Sequence, residues 1–348
     1  MSEDPPRNLI DWYQQKIGTY AELTTVAERT LKDLIRNSNI DHLSVTSRTK
    51  TLESLIEKVK RKAYRNPQVE NTDLAGVRVI TYIESDVRKI CDLIDSSFNV
   101  HRDKSVDKTD AMDVDRVGYR SVHFICDLGQ ARLNLQEWSH FENMLFEIQV
   151  RTVLQHAWAE IHYSRGYKFF GVLPRRVNRK IYCLAGTLEM VDMNFSALAQ
   201  ELDNYAEEVT ARVSDGDLDI EVNSISLLKY LSLKLEPLKR KGVHILEDDN
   251  ISKTIIEELE NFGVSSLAKL DAILNEDFLE SVVSHQGYTT YAGSLRDAML
   301  VADIELYFRA SWNDNWQEAE SYTFEMLRDK YSEDKVESLF REKGIRWN

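Results

Sequence analysis

The stretch FEIQVRT, Phe146 to Thr152, alternates apolar and polar residues with a period of two. As a β-strand it puts Phe146, Ile148 and Val150 on one face and Glu147, Gln149 and Arg151 on the other. The first face is core; the second is a carboxylate, an amide and a guanidinium in a row. Three further segments carry matching chemistry. In SRTKTLESLIEKVKRKAYR, a helix aligns Lys50, Ser54, Lys58 and Lys62 on one face, with Arg61 and Arg65 beside them and Leu52, Leu55, Ile56 and Val59 on the buried side. That face is either a solvated charge run or a site for a polyphosphate. Asp73 begins the strand-like LAGVRVITYI, where a carboxylate can hold a divalent metal, Gly76 lets the backbone approach a ligand, and Arg78 interrupts an apolar run. Such an arginine either stacks on a nucleobase or pairs with an internal acid. In GYRSVHF, Tyr119, Ser121 and His123 share a face. They form a base-stacking and ribose- or phosphate-binding set, or simply an aromatic and a satisfied histidine at a sheet edge. Glu147 is then a second carboxylate, available with Asp73 for a metal or for accepting a hydroxyl proton.

The elements that must position these residues are legible in the surrounding pattern. Leu9 to Arg36 reads as helix, and a second helix is expected to start near Thr49. AGVRVITYI, SVHFICDL and MLFEIQVRT read as strands and SDVRKICDLIDSSF as helix, which makes an α/β region. From VLQHAWAEIHY onward the pattern is helical, with no later segment showing a convincing strand, and SDGDLDIE near Asp215 is the expected boundary. The chain has 348 residues, enough for two domains, and its 43% hydrophobic and 29% charged residues are those of a soluble globular protein. No apolar run has the length of a membrane helix, the start has no export pattern, and Cys91, Cys126 and Cys183 form neither a pair framework nor a CxxC motif, so a cytoplasmic location is expected. The net charge of −14 speaks against general electrostatic binding of nucleic acid, yet it is unevenly placed. From Val213 onward 27 acidic residues face 15 basic ones, whereas Ser44 to Asn66 holds seven basic and two acidic residues, a local invitation to an anion.

Taken together, SRTKTLESLIEKVKRK, DLAGVRVI, GYRSVHF and EIQVRTVLQHAWAEI resemble the synthetase domain of RelA/SpoT proteins, which make the alarmone (p)ppGpp. The resemblance covers roughly Leu31 to Lys168. It implies an α+β fold, with a nucleotidyltransferase-like mixed sheet flanked by helices. It also implies Mg²⁺-dependent transfer of pyrophosphate from ATP to the 3′-hydroxyl of GDP or GTP. Carried over by motif, Arg48 and Arg78 would sandwich the adenine, and Lys50, Ser54, Lys58 and Arg61 would hold the phosphates of ATP. Asp73 and Glu147 would be the catalytic, metal-binding carboxylates. Tyr119 would stack on the acceptor base, His123 would contact the acceptor, and Gln149 and Arg151 would shape that side of the site. No HD dipeptide of a hydrolase half occurs. Two departures fall near the acceptor. The loop HRDKSVDKTDAMDVDRVGYRS lacks the family's Pro-Lys element and offers Lys104, Lys108 and Arg116 in its place, and His162-Tyr163 follows WAEI where the family has Glu-His.

These readings divide the chain into a synthetase domain over 1–170, a helical extension over 171–212 and an acidic all-helical region over 213–348 that could be regulatory. A second enzyme reading follows from the altered loop. Some toxic relatives of alarmone synthetases transfer pyrophosphate to the 3′ end of tRNA and need an antitoxin or a fused domain as restraint. Here the acidic region could fold onto the ATP groove, with Tyr288 and Tyr291 of GYTTYAGS as aromatic plugs. A binding-only signalling domain is the third reading, against which both Asp73 and Glu147 are present. TIIEELENFGVSSLAKLDAIL reads as two helices joined at Gly263, and Trp312 and Trp316 as core residues four apart on one helix. No membrane partner is expected, and a homo-oligomer is compatible with the sequence.

Overall fold

The computed structural model describes residues 7–107, 121–166, 174–246, 251–285, 288–314 and 316–347. The chain forms two compact units, residues 1–199 and 200–348. The first unit opens with helix α1 (Arg7–Asn37), whose Leu23, Ala27, Leu31 and Ile35, four residues apart, make a fully buried stripe. Then come strand β1 (Ser44–Thr49), helix α2 (Leu52–Lys62), a single turn α3 (Pro67–Glu70), strand β2 (Ala75–Thr81) and helix α4 (Glu84–Ser97). The short strands β3 (Asn99–Val100) and β4 (Val106–Asp107), strand β5 (Val122–Asp127), the turn α5 (Gln130–Leu133), strand β6 (Phe146–Thr152) and helix α6 (Val153–Gly166) follow. Helix α7 (Arg175–Ser214) ends at the SDGDLDIE stretch.

The strands form one mixed sheet in the order β1-β2-β6-β5-β3, with β4 beside β5; β2 and β6 run parallel and the other pairs antiparallel. One sheet face is core: Val77, Val79, Phe146, Ile148, Val150 and Phe124 pack with the α1 stripe and with Ile90 and Ile94 of α4. The register then fixes what the other face carries. Arg48, Gly76 and Glu147 stand in one row across β1, β2 and β6, and Arg78, Gln149 and His123 stand in the next. The polar face of FEIQVRT is therefore flanked by the arginines on one side and the histidine on the other.

One local expectation needs correcting. Ser44–Thr49 is a strand, and the helix begins at Leu52 rather than near Thr49. Thr51 caps it, its hydroxyl accepting the Ser54 amide at 3.2 Å, so Lys50 precedes the helix and does not belong to a helical row with Ser54, Lys58 and Lys62. Its own amide bonds the Leu74 carbonyl at 2.9 Å, which ties the start of α2 to the loop that carries Asp73.

The second unit is helical: α8 (Ser224–Lys234), α9 (Glu236–Arg240), α10 (Lys253–Phe262), α11 (Leu267–Ile273), α12 (Glu276–Ser284), α13 (Tyr291–Ala302), α14 (Ile304–Leu306), α15 (Ser321–Lys330) and α16 (Glu333–Lys343). Two short parallel pairs, β7 (His244–Leu246) with β8 (Tyr288–Thr290) and β9 (Glu318–Ala319) with β10 (Arg346–Trp347), are its strands among the described residues. Gly263, at φ +92°, ends α10 in the left-handed region that a glycine adopts freely, and α11 follows, as the two-helix reading expected. Trp312 and Trp316 do not share a helix: the chain leaves its helical turns at Ser311, and both rings pack on Phe308 at 6.0 and 6.4 Å. Among the described residues no helix is long and apolar enough to cross a membrane.

Candidate active site

The polar sheet face of the first unit opens into a cavity of about 650 Å³. Its wall combines residues from β1 and the turn after it (Arg48, Lys50), from α2 (Ser54, Glu57, Lys58, Arg61), Asp73, Arg78 of β2, Ser121, His123 of β5 and Arg151 of β6. Trp158 and Glu160 of α6 and Ile181, Tyr182 and Ala185 of α7 complete it.

On one side, two ammonium groups converge on one carboxylate. The Nζ atoms of Lys50 and Lys58 both reach Asp73 Oδ2, that of Lys58 at 2.8 Å, and the three side chains are only 11–17% exposed. Burial lowers the Lys50 pKa, helped by the like charges of Lys58 and Arg48 and opposed by Asp73. The second carboxylate oxygen, Asp73 Oδ1, is buried without a hydrogen-bond partner. Arg61 and Ser54 continue this basic wall one helical turn to either side of Lys58. Arg78 Nη1 donates to Glu160 Oε1 at 3.3 Å, so its guanidinium is held from α6 across the cavity wall.

On the other side, the polar residues of β5 and β6 form a chain. Ser121 Oγ meets His123 Nε2 at 2.8 Å, and His123 Nδ1 meets Glu147 Oε1 at 2.7 Å. Gln149 Nε2 donates to Glu147 Oε2 at 2.8 Å, and Arg151 Nη2 donates to Gln149 Oε1 at 2.5 Å. Burial alone would raise the Glu147 carboxyl, but the hydrogen bonds from His123 and Gln149 and the positive charge of Lys58 outweigh it and hold the group down at about 2. An ionised carboxylate only accepts, so Nδ1 of His123 carries the proton shared with Glu147.

Most of the residues singled out in the sequence therefore come together. Arg48, Lys50, Ser54, Lys58, Arg61, Asp73, Arg78, His123 and Arg151 line the cavity, while Glu147 and Gln149 stand behind its wall, bonded to wall residues. Lys108, Arg116 and Tyr119 lie outside the described residues, as does the side chain of Tyr288. Tyr291 is 1% exposed in the core of the second unit, where it packs as an ordinary apolar ring rather than standing free as a plug. Sequence reasoning missed Trp158, Glu160 and Tyr182. The first two lie inside the quoted stretch VLQHAWAEIHY, whereas Tyr182 carries no local signal on a 40-residue helix.

Residues 47–170 match the family model described as the region found in RelA/SpoT proteins. These residues are a RelA/SpoT domain. The chain is 28% identical over 162 residues to GTP pyrophosphokinase YjbM of Bacillus subtilis (strain 168), covering 45% of this chain and 72% of that one. It is 27% identical over 178 residues to GTP pyrophosphokinase YwaC of the same organism, covering 49% and 80%. Among solved structures, the small alarmone synthetase 1 from Bacillus subtilis aligns with 56% of this chain and 99% of its own, at 25% identity and a TM-score of 0.47. The cavity of the first unit is built almost wholly from the RelA/SpoT domain, with only the α7 residues lying beyond it.

Proposed function

We propose that the RelA/SpoT domain transfers pyrophosphate from ATP to the 3′-hydroxyl of GDP or GTP with Mg²⁺, making (p)ppGpp. The observation that carries this reading is the pair Lys50–Lys58 on Asp73, facing the Ser121–His123–Glu147 chain across one cavity. A triphosphate entering on the basic side would exchange Asp73 for phosphate oxygens as the partner of the two ammonium groups, with Arg61 and Ser54 adding donors. Arg48 and Arg78 would take the adenine between their guanidinium planes. On the other side, His123 would meet the acceptor nucleotide. Glu147, held ionised by its hydrogen bonds, would hold that imidazole beside the acceptor's hydroxyl.

The fit of a metal turns on Asp73. Its buried and unpartnered Oδ1 is a free hard donor, whereas both oxygens of Glu147 accept hydrogen bonds, and no cluster of three or more ligating side chains occurs among the described residues. That suits Mg²⁺, which is commonly held by one or two carboxylates together with substrate phosphates. Bound there, Mg²⁺ would neutralise charge on the transferring group. The rest of the chemistry is positioning and charge neutralisation, which lysines, arginines and carboxylates supply without a covalent intermediate.

The test offers the full chain γ-labelled ATP and Mg²⁺ with GDP, GTP or deacylated tRNA in parallel. Label on the guanine nucleotides supports the proposal. Label on tRNA alone would replace the acceptor, and no transfer to any of the three would leave a nucleotide-binding domain without this activity.

A further inference from the structure

Glu147 and Arg151 lie on the same face of β6, four residues apart and therefore about 13 Å along the strand. A carboxylate can only accept and a guanidinium can only donate, so the two are natural partners, yet each bonds the residue between them instead. Gln149, midway on the same face, has a donor at one end of its amide and an acceptor at the other. Its Nε2 donates to Glu147 Oε2 at 2.8 Å and its Oε1 accepts from Arg151 Nη2 at 2.5 Å. The result is an unbroken chain, Ser121–His123–Glu147–Gln149–Arg151, whose two ends and imidazole line the cavity while the carboxylate and the amide stand behind its wall. Arg151 is 5% exposed, so its guanidinium reaches the cavity in the orientation that its buried bonds dictate.

We propose that Gln149 is a positioning residue that joins the guanidinium of Arg151 to the pair His123–Glu147 on the acceptor side of the cavity. The inference rests on the activity proposed above. It gives Gln149 a role distinct from contact with the acceptor: the amide sets where Arg151 points and what Glu147 Oε2 accepts, so that the groups on this side of the cavity share one hydrogen-bonded frame. No side chain lacking both a donor and an acceptor can do this at that position. Serine and threonine are too short, and a charged residue would set like charge against Glu147 or Arg151.

The experiment is steady-state kinetics of pyrophosphate transfer by the full chain carrying Gln149→Met, Arg151→Met or both. Methionine keeps the volume and removes both bonds. A misplaced rather than missing binding group predicts that Gln149→Met lowers kcat by about 10- to 100-fold. KM for ATP should stay within about twofold and the melting temperature should be little changed. Because Gln149 acts in part through Arg151, the double variant should lose less than the product of the two single losses. A Gln149→Met enzyme with unaltered kcat, or losses that multiply in the double variant, overturns the inference. Should Gln149→Met not fold, Gln149→Glu is read in the same way: it keeps the bond from Arg151 and sets a carboxylate against Glu147, and undiminished kcat there is equally fatal. Transfer by the unaltered chain is the control that separates the two readings. Its absence removes the proposed activity, whereas its presence with an indifferent Gln149 removes only this one.

Discussion

Asp73 concentrates the electrostatics of the cavity in one side chain. It compensates two ammonium groups with one oxygen and keeps the other buried and unbonded, an arrangement more suited to exchanging partners than to holding a fold together. Asp73→Asn keeps the shape and removes the charge, leaving Lys50 and Lys58 to repel each other, so pyrophosphate transfer should fall by at least about 100-fold. The folded state should survive, which circular dichroism and the melting curve of the same sample would check; transfer at the unaltered rate would remove Asp73 from the chemistry. The sequence made this residue readable because an acid immediately before an apolar β-branched run is uncommon, as is an arginine within it. Arg48, Lys50 and Lys58 were readable as a cluster of charge. What it could not contain was the second layer: that Glu160 reaches back to Arg78, or that Tyr182 closes the wall, depends on how α6 and α7 pack, and no local spacing encodes that.

At the scale of elements, alternation in FEIQVRT specified β6, and the four-residue stripe of α1 specified its buried side. Ser44–Thr49 escaped because SVTSRT has one apolar residue that becomes buried, Val45. It is a strand because it pairs with β2 through six residue positions, a tertiary cause with no local signature. That strand in turn delivers Arg48 to the row of Gly76 and Glu147. Helix α2 is then aimed by a small core of its own, in which Leu55 is fully buried with Leu9, Tyr13 and Leu74. The Tyr13 hydroxyl also donates to the Lys50 carbonyl. Because Leu55 and Lys58 lie one turn apart on a single rigid helix, a change in the seat of Leu55 moves the ammonium group. Leu55→Ala should cost about 2–5 kcal/mol of stability, seen in denaturant unfolding, and should raise KM for ATP at temperatures where the chain remains folded. An unchanged KM would mean that α2 is positioned by its cap and charges rather than by this core.

Over the whole molecule, carboxyl groups of two opposite kinds set the response to acid. The first kind is held ionised: Glu147, at about 2 when folded, contributes stability that is present above its ordinary range and is lost as pH falls toward 2. The second unit holds a carboxyl of the opposite kind. Asp297 is 6% exposed, and burial pushes it up to about 6, even though Tyr322 donates to it at 2.6 Å and Thr323 at 3.0 Å. A folded pKa above the unfolded one means that the native state binds the extra proton between the two values. The stabilisation is thus complete below the ordinary aspartate range and is lost as pH rises through about 6. The size of the shift corresponds to something on the order of 3 kcal/mol. The first unit contains a parallel, Asp192, which burial also raises to about 6 and whose Oδ2 accepts from Thr152 at 2.7 Å. Asp297→Asn replaces the titrating group with a neutral amide whose oxygen can still accept from one of the two hydroxyls. In melts of the full chain at several pH values from about 4.5 to 7.5, the decline in stability with rising pH should become shallower in this variant, and Asp192→Asn should remove the remaining share. An unchanged slope in Asp297→Asn would mean that this carboxyl stays ionised in the core, held there by its two hydroxyl donors and the neighbouring Arg296.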